Sequence, residues 1–344
     1  MLSQGIVKVN SSTVSVVISA YSLDRCPDLK AAIESVRGQP NLGEIIVSVD
    51  HNPELLQRVR QELPDVVTVA NCEARGLSGA RNSGVAIATS DIVAFLDDDA
   101  VATRNWINEL LRWYNSPDVV GVGGSIEPSW SDQRPVWFPE EFDWVVGCTY
   151  RGMPKRPEPV RNLIGANMSF RREVLNSAGG FRSGIGRVGT LPVGCEETEL
   201  CIRVSQMNPG AQFIFNPDAR VIHTVPSHRG TWTYYRRRCF AEGRSKHLVS
   251  TFVGANDGLA NERTYTFKTL PIGVVRNLGR ALTRRELSSL RRGAAIVAGL
   301  AITTAGFVSA RWFLLKDRQR GANSPPSDGG SDAALVSPEH SQIA

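Results

Sequence analysis

From Thr13 to Ser125 short apolar runs alternate with amphipathic ones. "TVSVVISA" (13–20), "EIIVSVD" (44–50), "VVTVA" (66–70), "DIVAFLD" (91–97) and "VVGVGGSI" (119–126) are β-branched and almost continuously apolar. Strands buried on both faces of a sheet read this way. Between them, "PDLKAAIESVRGQ" (27–39) spaces Leu29, Ile33 and Val36 at helical intervals and opens on proline, as does "PELLQRVRQEL" (53–63). "LSGARNSGVAIAT" (77–89) and "NWINELLRWYN" (105–115) continue the alternation. The pattern predicts a doubly wound α/β fold, a mostly parallel sheet with helices on both faces. Such sheets bind ligands outside the carboxyl ends of their strands. Two strands end there in acids, one in Asp50 and one in Asp97, Asp98 and Asp99. Both are expected to face one crevice.

Past Ser125 the pattern loosens. Residues 127–160 are rich in Trp, Pro and charge and read as long, mobile loops over the crevice. "NLIGANMSFRREVLNSAGGF" (162–181) predicts a strand, a turn and a helix. "CEETELCIRVSQ" (195–206) predicts a helix N-terminus. "AQFIFNPDARVIHTV" (211–225) predicts two strands around an Asn-Pro turn, and "TWTYYRRRCFAEGRSKHLV" (231–249) a basic, aromatic helix. Residues 293–310, "GAAIVAGLAITTAGFVSA", carry no charge. As a helix they would be about 27 Å long, close to the hydrocarbon thickness of a bilayer. Arg291 and Arg292 precede them and Arg311, Lys316, Arg318 and Arg320 follow. Basic residues on both sides oppose a simple positive-inside span. A helix in the membrane interface, or packed on the domain, is therefore expected ahead of a single span near 293–315. The tail, 321–344, has the composition of disorder.

Composition adjusts this picture only modestly. A chain of 344 residues can form one large α/β domain or two smaller ones. A net charge of +5 is too small to point to nucleic acid. The basic residues cluster, however, at Arg236, Arg237, Arg238, Arg244 and Lys246, and again between Arg276 and Arg292. A basic C-terminal third suggests anionic lipid or phosphate. The six cysteines form no CxxC pair, which speaks against a disulfide framework or a zinc site and for a reducing cytosol. No apolar run follows a basic start at the N-terminus, so no signal peptide is expected.

The acid triplet carries the sharpest chemistry. In an extended segment, residues i and i+2 point the same way, so Asp97 and Asp99 could address one divalent cation, Mn²⁺ or Mg²⁺. Asp98 would turn toward a neighbouring group. Such a cation neutralises a diphosphate leaving group. The plainer alternative is a solvated acidic turn.

"GLSGARNSGVAIATSDIVAFLDDDA" resembles the donor-binding half of the family-2, GT-A-fold glycosyltransferases, and the resemblance runs from about Val14 to about Ser245. It implies a GT-A-type sheet with a C-terminal helical extension. "VVISAYS", with Ala20, resembles the first strand and nucleotide-binding loop. "VSVDHNP" resembles the second strand, whose terminal acid, here Asp50, contacts the nucleobase. "ARGLSGARNSG" resembles the segment near the nucleoside and sugar, with Arg75, Gly76, Arg81 and Asn82 matching. Asp97 and Asp98 would meet the donor, and Asp97, Asp99 and His223 the metal. "GANMSFRREVL" followed by "GGF" resembles the acceptor-side strand and helix.

"GCEETELCIR" resembles the segment holding the general base. Glu197 stands where an Asp is usual and is taken as the base, with Glu196 second. An inverting transferase needs one carboxylate to accept the acceptor hydroxyl's proton. Acids at this point could instead merely favour a helix N-terminus. Arg236, Arg237 and Arg238 resemble a segment that meets pyrophosphate or a phospholipid-type acceptor. Trp130, Trp137 and Trp144 could stack on acceptor sugars, although loop packing is the commoner use.

The resemblance implies a nucleotide-sugar donor, UDP-linked, and a glycan or lipid-linked acceptor at the cytoplasmic side of the membrane. Residues 1–126 would bind the donor, 127–250 the acceptor, and 251–320 the membrane surface; nucleic acid is not expected. Two competitors are a haloacid-dehalogenase-like phosphatase with Asp97 as nucleophile and a non-catalytic glycan-binding scaffold. Three βα units precede Asp97, which counts against the phosphatase.

Overall fold

A computed structural model describes residues 13–187, 194–254 and 264–322, with side chains to Trp312. The expected disordered tail falls outside the described residues from 323 onward. Strands β1 (Val14–Ala20), β2 (Leu42–Val49), β3 (Val67–Ala70) and β4 (Ile92–Asp97) lie in the parallel order β3-β2-β1-β4. Helices α1 (Cys26–Val36), α2 (Pro53–Glu62) and α3 (Leu77–Ile87) connect them. Successive side chains of a strand face opposite sides, and the core divides accordingly. Val16 and Ile18 of β1 join Leu29 and Ile33 of α1 and Leu55 of α2 in one cluster. Val17 of the same strand joins Phe95 of β4 and Val85 of α3 in the other. The near-continuous apolar runs thus feed two cores, with helices on both faces.

The second half widens the sheet. β5 (Ala100–Ala102), α4 (Trp106–Leu111), β6 (Val119–Trp130), β7 (Glu158–Val160) and β8 (Asn167–Arg171) follow. β8 inserts antiparallel between β4 and β6, and β6 pairs in parallel with β9 (Gln212–Val225). β9 corrects one expectation, because it is a single strand and not two around a turn. Its register against β6 jumps from Gly124↔Asn216 to Ile126↔Val221, so the Asn-Pro segment bulges within a continuous ladder. The bulge is closed by Asn216 Nδ2, which donates to the Glu109 carbonyl at 3.0 Å, and by Ser125 Oγ, which donates to the Pro217 carbonyl at 2.7 Å.

Residues 127–160 also differ from the mobile loops expected. β6 extends to Trp130, and a 3₁₀ segment, Glu140–Val146, buries Phe142, Val145 and Val146. Phe138 packs edge-on to Trp130 and Tyr235, and Trp137 edge-on to Trp232 and Tyr235. The aromatic content that resembled a loop extends the core shared by β1, α1 and α2 instead.

α5 (Arg172–Ser177), α6 (Glu196–Met207) and α7 (Trp232–Val253) complete the domain. A π-helical turn, Tyr265–Thr269, leads into α8 (Leu270–Arg284), and α9 (Leu287–Ala322) follows. α9 packs along α7 with the two backbones in near contact. A Cβ on Gly243 would overlap the Thr303 carbonyl, and one on Gly306 the Phe240 carbonyl, so only glycine fits at the crossing. Leu287–Trp312 is long and apolar enough to cross a membrane. One face rests on the domain through Ala295 and Ile296, while Val297, Val308 and Trp312 are exposed.

Candidate active site

The site grows from the end of β4. Ile92 to Leu96 are buried, and the strand emerges at Asp97. The chain turns through Asp98 and Asp99 into β5, whose Ala100 lies opposite His223 of β9. This register places Asp99 Oδ1 3.1 Å from His223 Nε2. Asp97, Asp99 and His223 each offer a ligand atom, all within 4.8 Å of one another. Two carboxylates and an imidazole form a hard O/N donor set that can take Mn²⁺ or Mg²⁺. Arg25 reaches both Asp98, at 2.8 Å, and Asp99, and Arg229 stands 3.6 Å from Asp99. Burial opposes ionisation of Asp99, but His223, Arg25 and Arg229 outweigh it and hold its pKa below the usual carboxylate range. Asp98 goes the other way. Its burial, with Asp99 and Asp97 adding to it, exceeds the pull of Arg25 and raises its pKa well above the usual range. Its Oδ2 is buried and has no partner among the described residues.

Arg81 is almost completely buried on α3. Its guanidinium lies between Glu196 Oε1 at 2.8 Å and Asp97 Oδ1 at 3.5 Å, and donates to the Gly165 carbonyl at 3.0 Å. It thus bridges the metal-type cluster and the acid pair. A second, small pocket of about 50 Å³ is lined by Ala20, Tyr21, Arg25, Asp50, Asp98 and Arg187, among others. Asp50 there accepts from Asn71 Nδ2 at 2.7 Å and from the Gly76 amide at 3.0 Å. Gly76, which caps the start of α3, holds φ at +132°, a conformation that suits glycine. Arg75 is exposed and donates to the His51 carbonyl at 3.2 Å. Asn82 is turned away and clamps Phe181 through both its backbone groups.

The three acids that open α6 separate in the fold. Glu196 pairs with Arg81. Glu197 lines the main cavity, and burial, reinforced by Glu196, pushes its pKa up to about 8. Glu199 is fully buried between Arg182, at 3.0 Å, and Arg203, at 2.8 Å, and ties the helix to the preceding loop. Its role is structural.

The main cavity, about 230 Å³, holds Asp97, His223, Arg81, Glu196 and Glu197 in one lining. Of the three consecutive arginines, Arg238 lines it, whereas Arg236 and Arg237 lie on the exposed side of α7. Trp144 lines it as well; Trp130 and Trp137 belong to the aromatic cluster. Lys246 of the basic cluster also borders the main cavity, whereas sequence reading missed Arg25, Arg161, Arg187 and Arg229, which all border one of the two pockets. They come from unrelated loops and helices, and no spacing links them. The six cysteines are all free.

The sequence profile of Glycosyl transferase family 2 matches residues 15–179. A glucosyl-dolichyl phosphate glucuronosyltransferase of Haloferax volcanii is 39% identical over 241 residues, 69% of this chain and 77% of the relative. A succinoglycan biosynthesis protein of Rhizobium meliloti is 24% identical, with 64% of this chain and 71% of that protein covered. A mannosyltransferase of Pyrobaculum calidifontis, solved with GDP-Man and Mn²⁺, matches in fold with a TM-score of 0.52 at 19% identity, over 86% of this chain and 87% of that one. The phosphatase and scaffold alternatives fall with these matches: the chain, with its mostly parallel GT-A-type sheet and its Asp97-Asp99 pair, belongs to glycosyltransferase family 2 and is a glycosyltransferase.

Proposed function

We propose that the protein is a metal-dependent, inverting glycosyltransferase that moves a sugar from a UDP-sugar to a lipid-linked acceptor at the cytoplasmic side of a membrane. One observation carries the reading: Asp97 and His223, with Asp99 beside them, share a cavity with Glu197, and Arg81 links the two groups. The donor set suits Mn²⁺ or Mg²⁺, and the Pyrobaculum mannosyltransferase holds Mn²⁺ with its GDP-Man. When bound by Asp97, Asp99 and His223, the cation supplies charge neutralisation of the departing diphosphate. Asp50 and the loop at Ala20 hold the nucleoside in the smaller pocket. Glu197 takes the proton from the acceptor hydroxyl as that oxygen attacks the anomeric carbon. Arg81, anchored by Glu196 and Gly165, keeps the two acid groups at a fixed separation. Residues 13–126 form the donor half and 127–250 the acceptor half.

The lipid-linked acceptor is supported by the name of the Haloferax relative and by the C-terminal helices. On α8, Ile272, Val275, Leu278 and Leu282 form an exposed apolar stripe, with Phe267 before it, and Arg280, Arg284 and Arg285 are exposed beside it. Such a helix suits a membrane interface with anionic lipid.

A donor-hydrolysis screen over UDP- and GDP-sugars, with Mn²⁺, Mg²⁺ or chelator, tests the reading. Metal-dependent release of UDP from one UDP-sugar, stimulated by a lipid-linked acceptor, is expected. Hydrolysis of GDP-sugars alone would overturn the donor assignment, and turnover in chelator would overturn the metal role.

A further inference from the structure

His223 supplies the imidazole of the Asp97-Asp99-His223 cluster, and an imidazole has two nitrogens to aim. Nε2 faces Asp99 Oδ1 at 3.1 Å. Nδ1 faces Cys148 Sγ at 3.8 Å, within hydrogen-bond reach of sulfur, and Cys148 is its one hydrogen-bond partner among the described residues. The Cys148 sulfur also lies 3.8 Å from the Val146 carbonyl. Both side chains are buried, and both border the main cavity. Neither donor binding nor proton transfer to Glu197 uses this thiol.

The contact is built by the backbone. The 3₁₀ segment Glu140–Val146 closes at Gly147, whose amide donates to the Trp144 carbonyl at 3.0 Å. The Cys148 amide donates to the Asp143 carbonyl, also at 3.0 Å. The next residue, Thr149, is tied to β6 twice. Its amide donates to the Ile126 carbonyl at 3.0 Å, and its Oγ1 accepts from the Ile126 amide at 2.8 Å. Two positions further along β6, Pro128 lies opposite His223 in the register with β9. Cys148 is thus fixed on both sides at the level of the His223 ring.

We propose that Cys148 is a positioning residue for the metal site, acting through His223. This rests on the metal-dependent reading and adds a residue to it. A cation takes a ring nitrogen through its lone pair, so with Nε2 turned to the cation the ring proton lies on Nδ1. Nδ1–H then donates to Cys148 Sγ, and the thiol proton turns to the Val146 carbonyl. With the ring proton on Nε2 and donated to Asp99, the same thiol donates to Nδ1 instead. A group that both donates and accepts serves either arrangement and holds the ring plane. An apolar side chain would leave Nδ1 without a partner and the ring less fixed.

The test reads the Mn²⁺ affinity of the full chain in detergent, with saturating UDP, by electron paramagnetic resonance. Cys148→Val and Cys148→Ala, which remove the polar partner, should each weaken Mn²⁺ binding about tenfold or more, the scale of a lost outer partner of a ligating histidine. Cys148→Ser, which still donates and accepts, should recover most of that loss. In a His223→Ala background, Cys148→Val should move the Mn²⁺ affinity by less than about twofold, since the residue acts through the ring. A cooperative melting transition without metal in each variant confirms folding. Cys148→Val and Cys148→Ala binding Mn²⁺ as the parent chain does, Cys148→Ser falling as far as they do, or a loss that persists without His223 would each overturn the assignment. Absence of Mn²⁺ binding by the parent chain with UDP would instead strike the metal-dependent reading, so the two failures are distinguishable.

Discussion

The two walls of the main cavity are built differently. On the side assigned to the donor, Asp97 lines the cavity, and Asp98 and Asp99 follow it in sequence, each of the three held by a charged partner where β4 ends. In the rest of the lining, Glu197, Arg161, Trp144 and Lys246 come from four separate segments. A metal and a diphosphate demand particular ligands at short range, so their wall compresses into a motif. An acceptor is met by charge and shape, which many segments can supply. Changes on the first wall should abolish chemistry, and changes on the second should tune it.

The largest effect is expected at the first wall. Asp97→Asn or Asp99→Asn should cut transfer by on the order of 10³-fold or more, since several kcal/mol of charge stabilisation depend on the cation. Loss of the Mn²⁺-dependent thermal shift with UDP should accompany it. Full activity in either variant would end the metal assignment.

Next comes Glu197→Gln, with a loss of about 10²–10⁴-fold and donor binding kept. The raised pKa sharpens this. A base must be ionised, so the rate should climb with pH and level off above about 8. The stability effect has the opposite sign. A carboxyl whose pKa rises from 4.5 to about 8 on folding makes the folded state bind more protons, so its ionisation lowers stability as pH rises from about 4.5 to 8. Glu197→Gln should therefore be less active yet more stable at pH 8, in a melting experiment. A variant both inactive and less stable would point to a structural role.

A smaller but measurable effect concerns α6, the helix that carries Glu197. Glu199→Gln strands Arg203 and Arg182 beside a neutral amide and should cost about 3 kcal/mol, by denaturant titration. The smallest effect separates the tryptophans. Trp144→Ala should raise acceptor KM by about tenfold or less and, since Trp144 also packs on Phe142 and donates to Tyr265 Oη, lower the melting temperature as well. Trp137→Ala should lower the melting temperature without raising acceptor KM. The reverse pattern would exchange the roles of the two residues.

Much of the donor half was legible because its signals are local. β1 to β4 and the helices between them follow from apolar runs, prolines and spacing, and the acids follow from where those strands end. Beyond Ser125 legibility fell. The Asn-Pro segment of β9 looks like a turn, yet pairing to β6 on both sides keeps the strand continuous. Tryptophans and prolines between 127 and 160 look like loop, yet the aromatics find one another and Tyr235 far along the chain. Nothing in the Arg236–Arg238 triplet says which arginine faces inward; the packing of α7 against α6 and α9 selects Arg238.

The sequence by itself determined the doubly wound frame, the strand ends that carry Asp50 and Asp97 to Asp99, and the acid pair that opens α6. Period and propensity act over a few residues and need no partner. The resemblance put Asp97, Asp99 and His223 at one metal, but what carries Asp99 to His223 is the antiparallel register of β5 on β9 across more than a hundred residues, which only the tertiary structure supplies. It alone brought Arg25 and Arg229 to that carboxylate and buried Arg81 between Asp97 and Glu196. Convergence of charges from distant segments is fixed by long-range pairing and packing, and no local pattern encodes it.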